Sequence, residues 1–308
     1  MTITTVALVG ASGALGPYIL EALQSSTTLQ VTVLVRESSK ATFPTSVRTR
    51  SIPDHIDTHE PLVSALQDQD ALVLAYSGSL TTQSKLFIDA AIKAGVRRII
   101  PADYGSCDSS DARSLELVPL YKEKEKVREY LIAHEGQGSG HLSWTSLVNG
   151  HFFDQGLQGQ LLGFDLSNKK VKIFDDGQKI WSATTRDSVG MAVRRILEVD
   201  EDESQLRNKL VYVQGMRTNQ IQLARVLEEV TGSPLSKEHV SSDKFIEEHK
   251  RKLYKPDGTL DMDVVEELVC VEGIVNADWQ DRPTLVNELL GIEVENVETV
   301  VRRILGRK

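Results

Sequence analysis

Cysteine is scarce in this 308-residue chain, which has only Cys107 and Cys270. Two thiols cannot make the framework of a disulfide-stapled fold, and their scarcity points to a reducing, cytoplasmic setting. Long apolar runs are missing as well. No stretch of about 18 apolar residues is available to span a bilayer. The N-terminus opens on alternating apolar residues with no charged leader or small-residue cleavage site, so neither a membrane span nor a secretory signal is expected. Positive charge in blocks is also lacking: 35 Lys and Arg stand against 44 Asp and Glu, a net charge of −9. Without a basic face the chain has no electrostatic means of covering a polyanion or an anionic membrane. No direct nucleic-acid contact is expected, and any anion site must be built locally.

Several catalytic signatures are absent too. There is no GxxxxGK[ST] loop, which argues against a nucleotide triphosphatase, and no GxSxG nucleophile elbow. No tyrosine is followed by lysine four residues on; after Tyr121 that place holds Glu125. The His55 to His59 spacing sits in a proline-flanked segment without helical patterning, so these read as surface histidines and no metal site is expected. What remains is 40 % apolar and 26 % charged residues, the balance of an ordinary globular protein of enzyme size.

From residue 4 to about 147, short β-branched runs alternate with helical patterns. Residues 4–9, 31–36, 71–75, 97–101 and 142–148 read as strands, nearly continuous in apolar character and therefore buried on both faces. Residues 15–24, 61–67, 83–94 and 119–135 carry apolar side chains at helical spacing. Repeated βα units imply an α/β fold with a parallel sheet and right-handed crossovers. Residues 135–140, rich in glycine and serine, read as a lengthened surface loop.

After Gly150 the alternation stops. Residues 170–174 and 179–183 flank Asp175-Asp176-Gly177 and read as a hairpin. A capped helix follows at 187–197, residues 210–213 read as another strand of the main sheet, and a helix over 219–231 ends at Gly232. Further helices are predicted at 241–252, 262–271, 283–289 and 294–305. The division is a first domain over 1–150, with returning segments near 184–215, and a smaller, mainly helical substrate region over 151–308.

The glycine triplet Gly10-Ala11-Ser12-Gly13-Ala14-Leu15-Gly16 follows the first strand and opens the first helix. Its spacing is GxxGxxG. It could be only a tight strand-to-helix turn, but its place after the first strand favours a dinucleotide pyrophosphate lying against backbone N–H groups at a helix N-terminus. About 20 residues on, the second strand ends at Arg36, where the adenosine ribose is met. A carboxylate there would bond the ribose hydroxyls and repel a 2′-phosphate; a forked guanidinium prefers the phosphate, so NADPH/NADP+ is expected over NAD(H). Ser38 and Lys40 are placed to add contacts, a solvated surface lysine being the alternative for Lys40, and Glu37 is expected to point away.

In the helix at 119–135, Lys122 and Lys126 share one side. Lys124 instead falls on the stripe Leu117, Leu120, Lys124, Val127, Leu131, a core-facing seam. An inward lysine is costly unless it has a task or a partner. Burial and the nearby Arg128 would lower its pKa toward that of a proton-transfer group, while snorkelling to water is the alternative. Asp103, Tyr104 and His151 follow strand ends, where ligands collect in open α/β sheets; for Asp103 a turn or capping role is the simpler reading.

Taken together, these residues resemble the NmrA-like, isoflavone reductase-like group of atypical short-chain dehydrogenases. The resemblance rests on the glycine triplet, Arg36, Gln83 heading a helix, the run from Ala94 to Gly105, Lys124-Glu125-Lys126-Val127-Arg128, and Trp144 to Phe153. Weaker signatures follow at Arg186 to Gly190 and Leu223 to Gly232. It implies a Rossmann, doubly wound parallel sheet that binds NADPH, with a smaller C-terminal domain and a small-molecule substrate between the two. Ser77, Gln83 and Asn149 join the glycine turn, Arg36 and Lys40 as implied cofactor-binding residues. Lys124 is the implied proton-transfer residue beside the nicotinamide. The site walls are expected from Tyr104, His151, Phe152, Phe153 and Trp181, with an aromatic or conjugated carbonyl as substrate; core packing is the alternative for the walls. The family's usual Pro-Ser-x-Phe-Gly stands here as Pro101-Ala102-Asp103-Tyr104-Gly105. Some members of the group bind dinucleotide without turnover and act as redox sensors through a protein partner, which is the second reading. A non-redox rearrangement on the same fold is the third. The oligomeric state is not legible in the sequence.

Overall fold

The computed structural model describes residues 2–56, 58–76, 80–139, 141–200 and 202–306. Its first half repeats one unit. β1 (Thr5–Val9) runs through a glycine turn into α1 (Gly16–Gln24), followed by β2 (Gln30–Arg36), β3 (Arg48–Ile52), α2 (Glu60–Leu66), β4 (Ala71–Leu74), α3 (Thr81–Ala94) and β5 (Arg98–Ile100). Two helices, α4 (Ala112–Leu117) and α5 (Pro119–Ala133), then precede β6 (Ser143–Val148). Val6, Ala7, Leu8 and all four residues of β4 are fully enclosed. Such strands need helices on both faces, and the apolar clusters on the two sides of the sheet supply them.

The second half is more irregular: β7 (His151–Phe152), α6 (Phe153–Gln158), β8 (Phe164–Asp165), β9 (Lys170–Phe174), β10 (Trp181–Thr184), α7 (Arg186–Glu198), β11 (Lys209–Tyr212), β12 (Met216–Thr218) and α8 (Gln220–Thr231). β13 (Ser236–Val240), α9 (Ser242–Lys250), α10 (Met262–Val275), α11 (Asn287–Leu290) and α12 (Val297–Ile304) complete it. α8 ends at Gly232, φ 67°, as its sequence predicts, and begins one residue later than expected because Asn219 caps it by side chain rather than joining it.

The main sheet has the order β11-β6-β5-β4-β1-β2-β3, with every pairing parallel. The chain crosses from one half of the sheet to the other between β1 and β4. Their C-terminal ends, Val9 and Leu74 in register, therefore open a crevice, the place where doubly wound sheets bind ligands. α7 returns to pack on α1, and β11 extends the sheet beside β6. A separate apolar cluster, containing Phe164, Ile173, Trp181, Leu223, Leu227 and Leu268, forms the second core.

Three expectations need correction. The hairpin at 175–177 does not form. The turn is there, with Gly177 N–H donating to the Phe174 carbonyl, but β9 already has β13 on one edge and β8 on the other, so β10 pairs with β7 and β12 in another sheet. Residues 283–286 form a turn and a single bridge to β11 rather than a helix: Leu285 N–H closes on the Arg282 carbonyl, Tyr212 N–H donates to the Thr284 carbonyl and Val286 N–H to the Tyr212 carbonyl, which leaves only Asn287–Leu290 as helix. β3 was not expected. Its Arg-Thr-Arg-Ser-Ile sequence lacks the apolar run of a buried strand because it is the outer edge of the sheet.

Candidate active site

The glycine turn shows which of its glycines the backbone demands. Gly10 has φ +87°, and a Cβ there would lie 2.6 Å from the Ala75 carbonyl oxygen. A Cβ on Gly16 would lie 2.0 Å from the Gly10 carbonyl oxygen. Both positions exclude any side chain. The Gly13 N–H closes the turn on the Gly10 carbonyl at 3.0 Å. α1 then begins with no side-chain cap and with Pro17, which has no N–H to satisfy, in its first turn, so the positive end of its dipole faces the crevice. This cradle, which added Cβ atoms would fill, suits a pyrophosphate.

Two cavities flank the turn. The first, about 310 Å³, is lined by Gly10, Ala11, Ser12, Arg36, Asp54 and Gln83, among others. The second, about 500 Å³, is lined by Gly13, Ala14, Leu15, Tyr104, Lys124, His151 and Phe152, with Val265, Val269 and Cys270 of α10 on its far wall. A molecule laid over the turn would thus have Arg36 at one end and Lys124 at the other.

At the first end, Arg36 is exposed at the tip of β2. Its neighbour Asp54, which the sequence did not single out, accepts from the Ser38 N–H at 3.2 Å and from the Ser38 hydroxyl. The Ser38 hydroxyl, with help from the Arg36 charge, holds the Asp54 carboxyl below its usual range. Nothing local in the sequence announces this pair; it follows from the register that places Ile52 of β3 opposite Arg36 of β2.

At the second end, α5 carries Lys124 inward, 6 % exposed. Leu117 ends the preceding helix, so the inward face of α5 itself is Tyr121, Lys124, Val127, Arg128 and Leu131. Lys124 Nζ donates to the Tyr104 carbonyl and lies 5.0 Å from the centre of the Tyr121 ring. Burial lowers its pKa, opposed by the Asp103 charge and assisted by that of Arg128. The Tyr121 hydroxyl accepts from the Cys107 N–H and meets the Ser106 hydroxyl, both at 3.3 Å, pinning the loop whose carbonyl receives the lysine. Tyr121 sits one turn before Lys124, a signal the sequence did offer. Burial pushes the Cys107 thiol up to about 12, so it is no nucleophile.

Asp103 is not a capping residue. It is 2 % exposed and bound by Arg128 Nη1 at 2.7 Å and by the hydroxyls of Ser109 and Ser146. His59 is likewise partly buried, 3.2 Å from Asp89, and no cluster of three or more potential metal ligands occurs among the described residues.

Other expected site residues fall away from the cavities. Phe153 and Trp181 are fully enclosed in the second core, packed on each other behind His151, so they support the wall rather than form it. Asn149 is also fully buried; its Nδ2 donates to the Gly150 carbonyl and its backbone carbonyl accepts from the Thr184 hydroxyl. It lines neither cavity because the chain turns away at Gly150, φ +70°. Lys40 is exposed, and the first cavity is lined by its neighbours Ser39 and Ala41 instead. Ser77 lies outside the described residues.

Comparison with known proteins agrees with this architecture. The model of the NmrA-like family matches residues 2–277. The "Oxidoreductase aprR" of Aspergillus flavus is 33 % identical over 311 aligned residues, covering 99 % of both chains. The isoflavone reductase of Glycine max is 26 % identical, over 78 % of this chain and 77 % of its own. Among solved structures, AtPrR2 with NADP+ and (+)pinoresinol superposes with a TM-score of 0.76 at 21 % identity, covering 99 % of each chain.

Proposed function

The chain belongs to the NmrA-like family, and from that premise we propose that it is an NADPH-dependent reductase of a small aromatic or conjugated carbonyl compound. The observation that carries this reading is the pairing of two cavities across one glycine turn, with a guanidinium at one end and a buried amine at the other. The oxidoreductase relatives and the NADP+ held by a protein of the same fold support it.

The division of labour follows from the residues. The backbone of the glycine turn and the start of α1 hold the pyrophosphate, Arg36 the 2′-phosphate, and Gln83 borders the adenosine side. When bound, the cofactor supplies a hydride at its nicotinamide ring. Lys124 gives or takes the accompanying proton at the substrate, directly or through water, its amine aimed by the Tyr104 carbonyl. The apolar side chains of Phe152, Val265 and Val269 exclude water and receive a flat, conjugated substrate.

The test is NADPH oxidation against a panel of aromatic carbonyls and enones, with the wild type and Lys124→Ala. Turnover by the wild type is expected, and a loss of roughly 10²–10⁴ in kcat for the variant. Undiminished turnover would remove Lys124 from the mechanism. Tight NADPH binding with no turnover on any panel member would replace the reductase reading with that of a cofactor-binding regulator.

A further inference from the structure

The charge environment of Lys124 contains a pair of groups with no assigned task. Asp103 immediately precedes the residue whose carbonyl receives the amine, and Arg128 lies one helical turn after Lys124 on the same buried face of α5. The two are joined at 2.7 Å, with side-chain exposures of 3 % for Asp103 and 9 % for Arg128. Ser109 locks the arrangement: its hydroxyl donates to Asp103 Oδ1 and accepts from Arg128 Nη1, each at 2.8 Å, and its carbonyl accepts from Arg128 Nη2 at 2.8 Å. The Ser146 hydroxyl of β6 donates to Asp103 Oδ2. A buried pair this fully satisfied is costly to assemble and weak as a source of stability, which asks for another reason for its presence.

We propose that Asp103 and Arg128 are positioning residues for Lys124: the guanidinium cancels the carboxylate that would otherwise hold the amine as an ammonium, leaving burial to decide its protonation. A lone carboxylate beside a buried amine strongly favours the charged form, whereas a carboxylate already paired presents a small net field. On the lysine the two charges act in opposite directions, the Asp103 effect being the larger, so the guanidinium offsets part of it. The other groups around the cavity do not substitute for the pair. From the β5 loop come the neutral Cys107 thiol and the Tyr104 hydroxyl; from α5, the Tyr121 ring. β7 contributes His151, which burial keeps neutral, and α10 contributes the Cys270 thiol and Glu266, which is exposed at the mouth and screened by water. The functional weight of the pair rests on Lys124 being the proton-transfer residue; its electrostatic effect does not.

The experiment is a pH titration of the Lys124 side chain by NMR in the full chain labelled with ¹³C-lysine, the signal being assigned by its loss in Lys124→Met. Asp103→Asn leaves the guanidinium uncompensated and should move the titration down; Arg128→Met leaves the carboxylate bare and should move it up, each by about one pH unit or more. The double variant Asp103→Asn/Arg128→Met should return close to the wild type. Shifts of both single variants in the same direction, or no shift in either, would overturn the proposal. If a single variant does not fold, the double variant still decides: a displacement of more than about one pH unit refutes cancellation. The pH profile of kcat/KM is read in parallel. Should the NMR titrations shift oppositely while the profile stays in place, the pair stands as proposed and the role of Lys124 in the reaction is what fails.

Discussion

At the scale of single residues, the site depends on two cations held in opposite ways. Arg36 stands in solvent at a strand tip, free to meet an anion, so its effect should be specific to the phosphate it contacts. Arg36→Asp is expected to weaken NADPH binding about 10- to 100-fold, the value of one or two charge-assisted hydrogen bonds, while changing NADH binding far less. Titration of each cofactor by fluorescence checks this, and equal losses for both would contradict the role. Lys124 is the converse, an amine kept from water. Its inward direction was legible because a lysine broke an apolar stripe at helical spacing, although Leu117, the first residue of that stripe, belongs to α4. The neighbours that tune it were not legible, because Asp103, in the loop after β5, meets Ser146 within β6 only when those two strands are adjacent, and Arg128 reaches it from α5.

Among the elements, the contact of α7 with α1 ties the second half of the chain to the cofactor turn. Gly190 permits it: a Cβ there would stand 2.5 Å from the Tyr18 carbonyl oxygen and 2.8 Å from its carbon, both backbone atoms that cannot rotate aside. Arg186, at the start of α7, adds bonds to Asp154 of α6 at 2.7 Å and to the Ala14 carbonyl at 3.2 Å. In an isolated helix Gly190→Ala would gain about 1 kcal/mol. Here the clash should outweigh that gain, at about 1–3 kcal/mol of overpacking, because the helices must separate. Calorimetry should show a lower Tm, and NADPH affinity should fall with it, since α1 moves away from Gly10. A Tm at or above the wild-type value would show that the crossing tolerates the methyl group. The same elements show where pattern reading failed: β9 and β10 each satisfy the strand pattern, but pattern alone does not say which strands already have both edges filled.

For the whole molecule, the two halves are stitched together at His151, which lines the second cavity, packs edge-on against Trp181 at 5.5 Å and abuts α10 at Gly273. Burial pulls its pKa down to about 4 from an ordinary 6.5. Between these values the unfolded chain takes up a proton that the folded protein refuses, so stability falls as the pH drops from about 6.5 to about 4 and is indifferent to this group above pH 7. Integrated to pH 4.5 the loss is about 2 kcal/mol. Urea unfolding at pH 7 and pH 4.5 should show this difference in the wild type and a smaller one in His151→Phe. An unchanged difference would mean that His151 titrates normally and is not enclosed as described.

What the sequence by itself determined is everything that local chemistry specifies: the parallel α/β alternation, the glycine turn opening α1, Arg36 at a strand tip, the inward Lys124, and the end of α8 at Gly232. These rest on periodicities and turn residues that act within about a dozen positions. Only the tertiary structure decided which of these features share a cavity. It brought Asp54 to Ser38 through the register of an edge strand and split an expected hairpin between two sheets. It also placed Phe153, Trp181 and Asn149 behind the site rather than in it. Those outcomes turn on which strands become neighbours and which faces are already covered, and contacts between residues distant in the chain leave no local pattern to read.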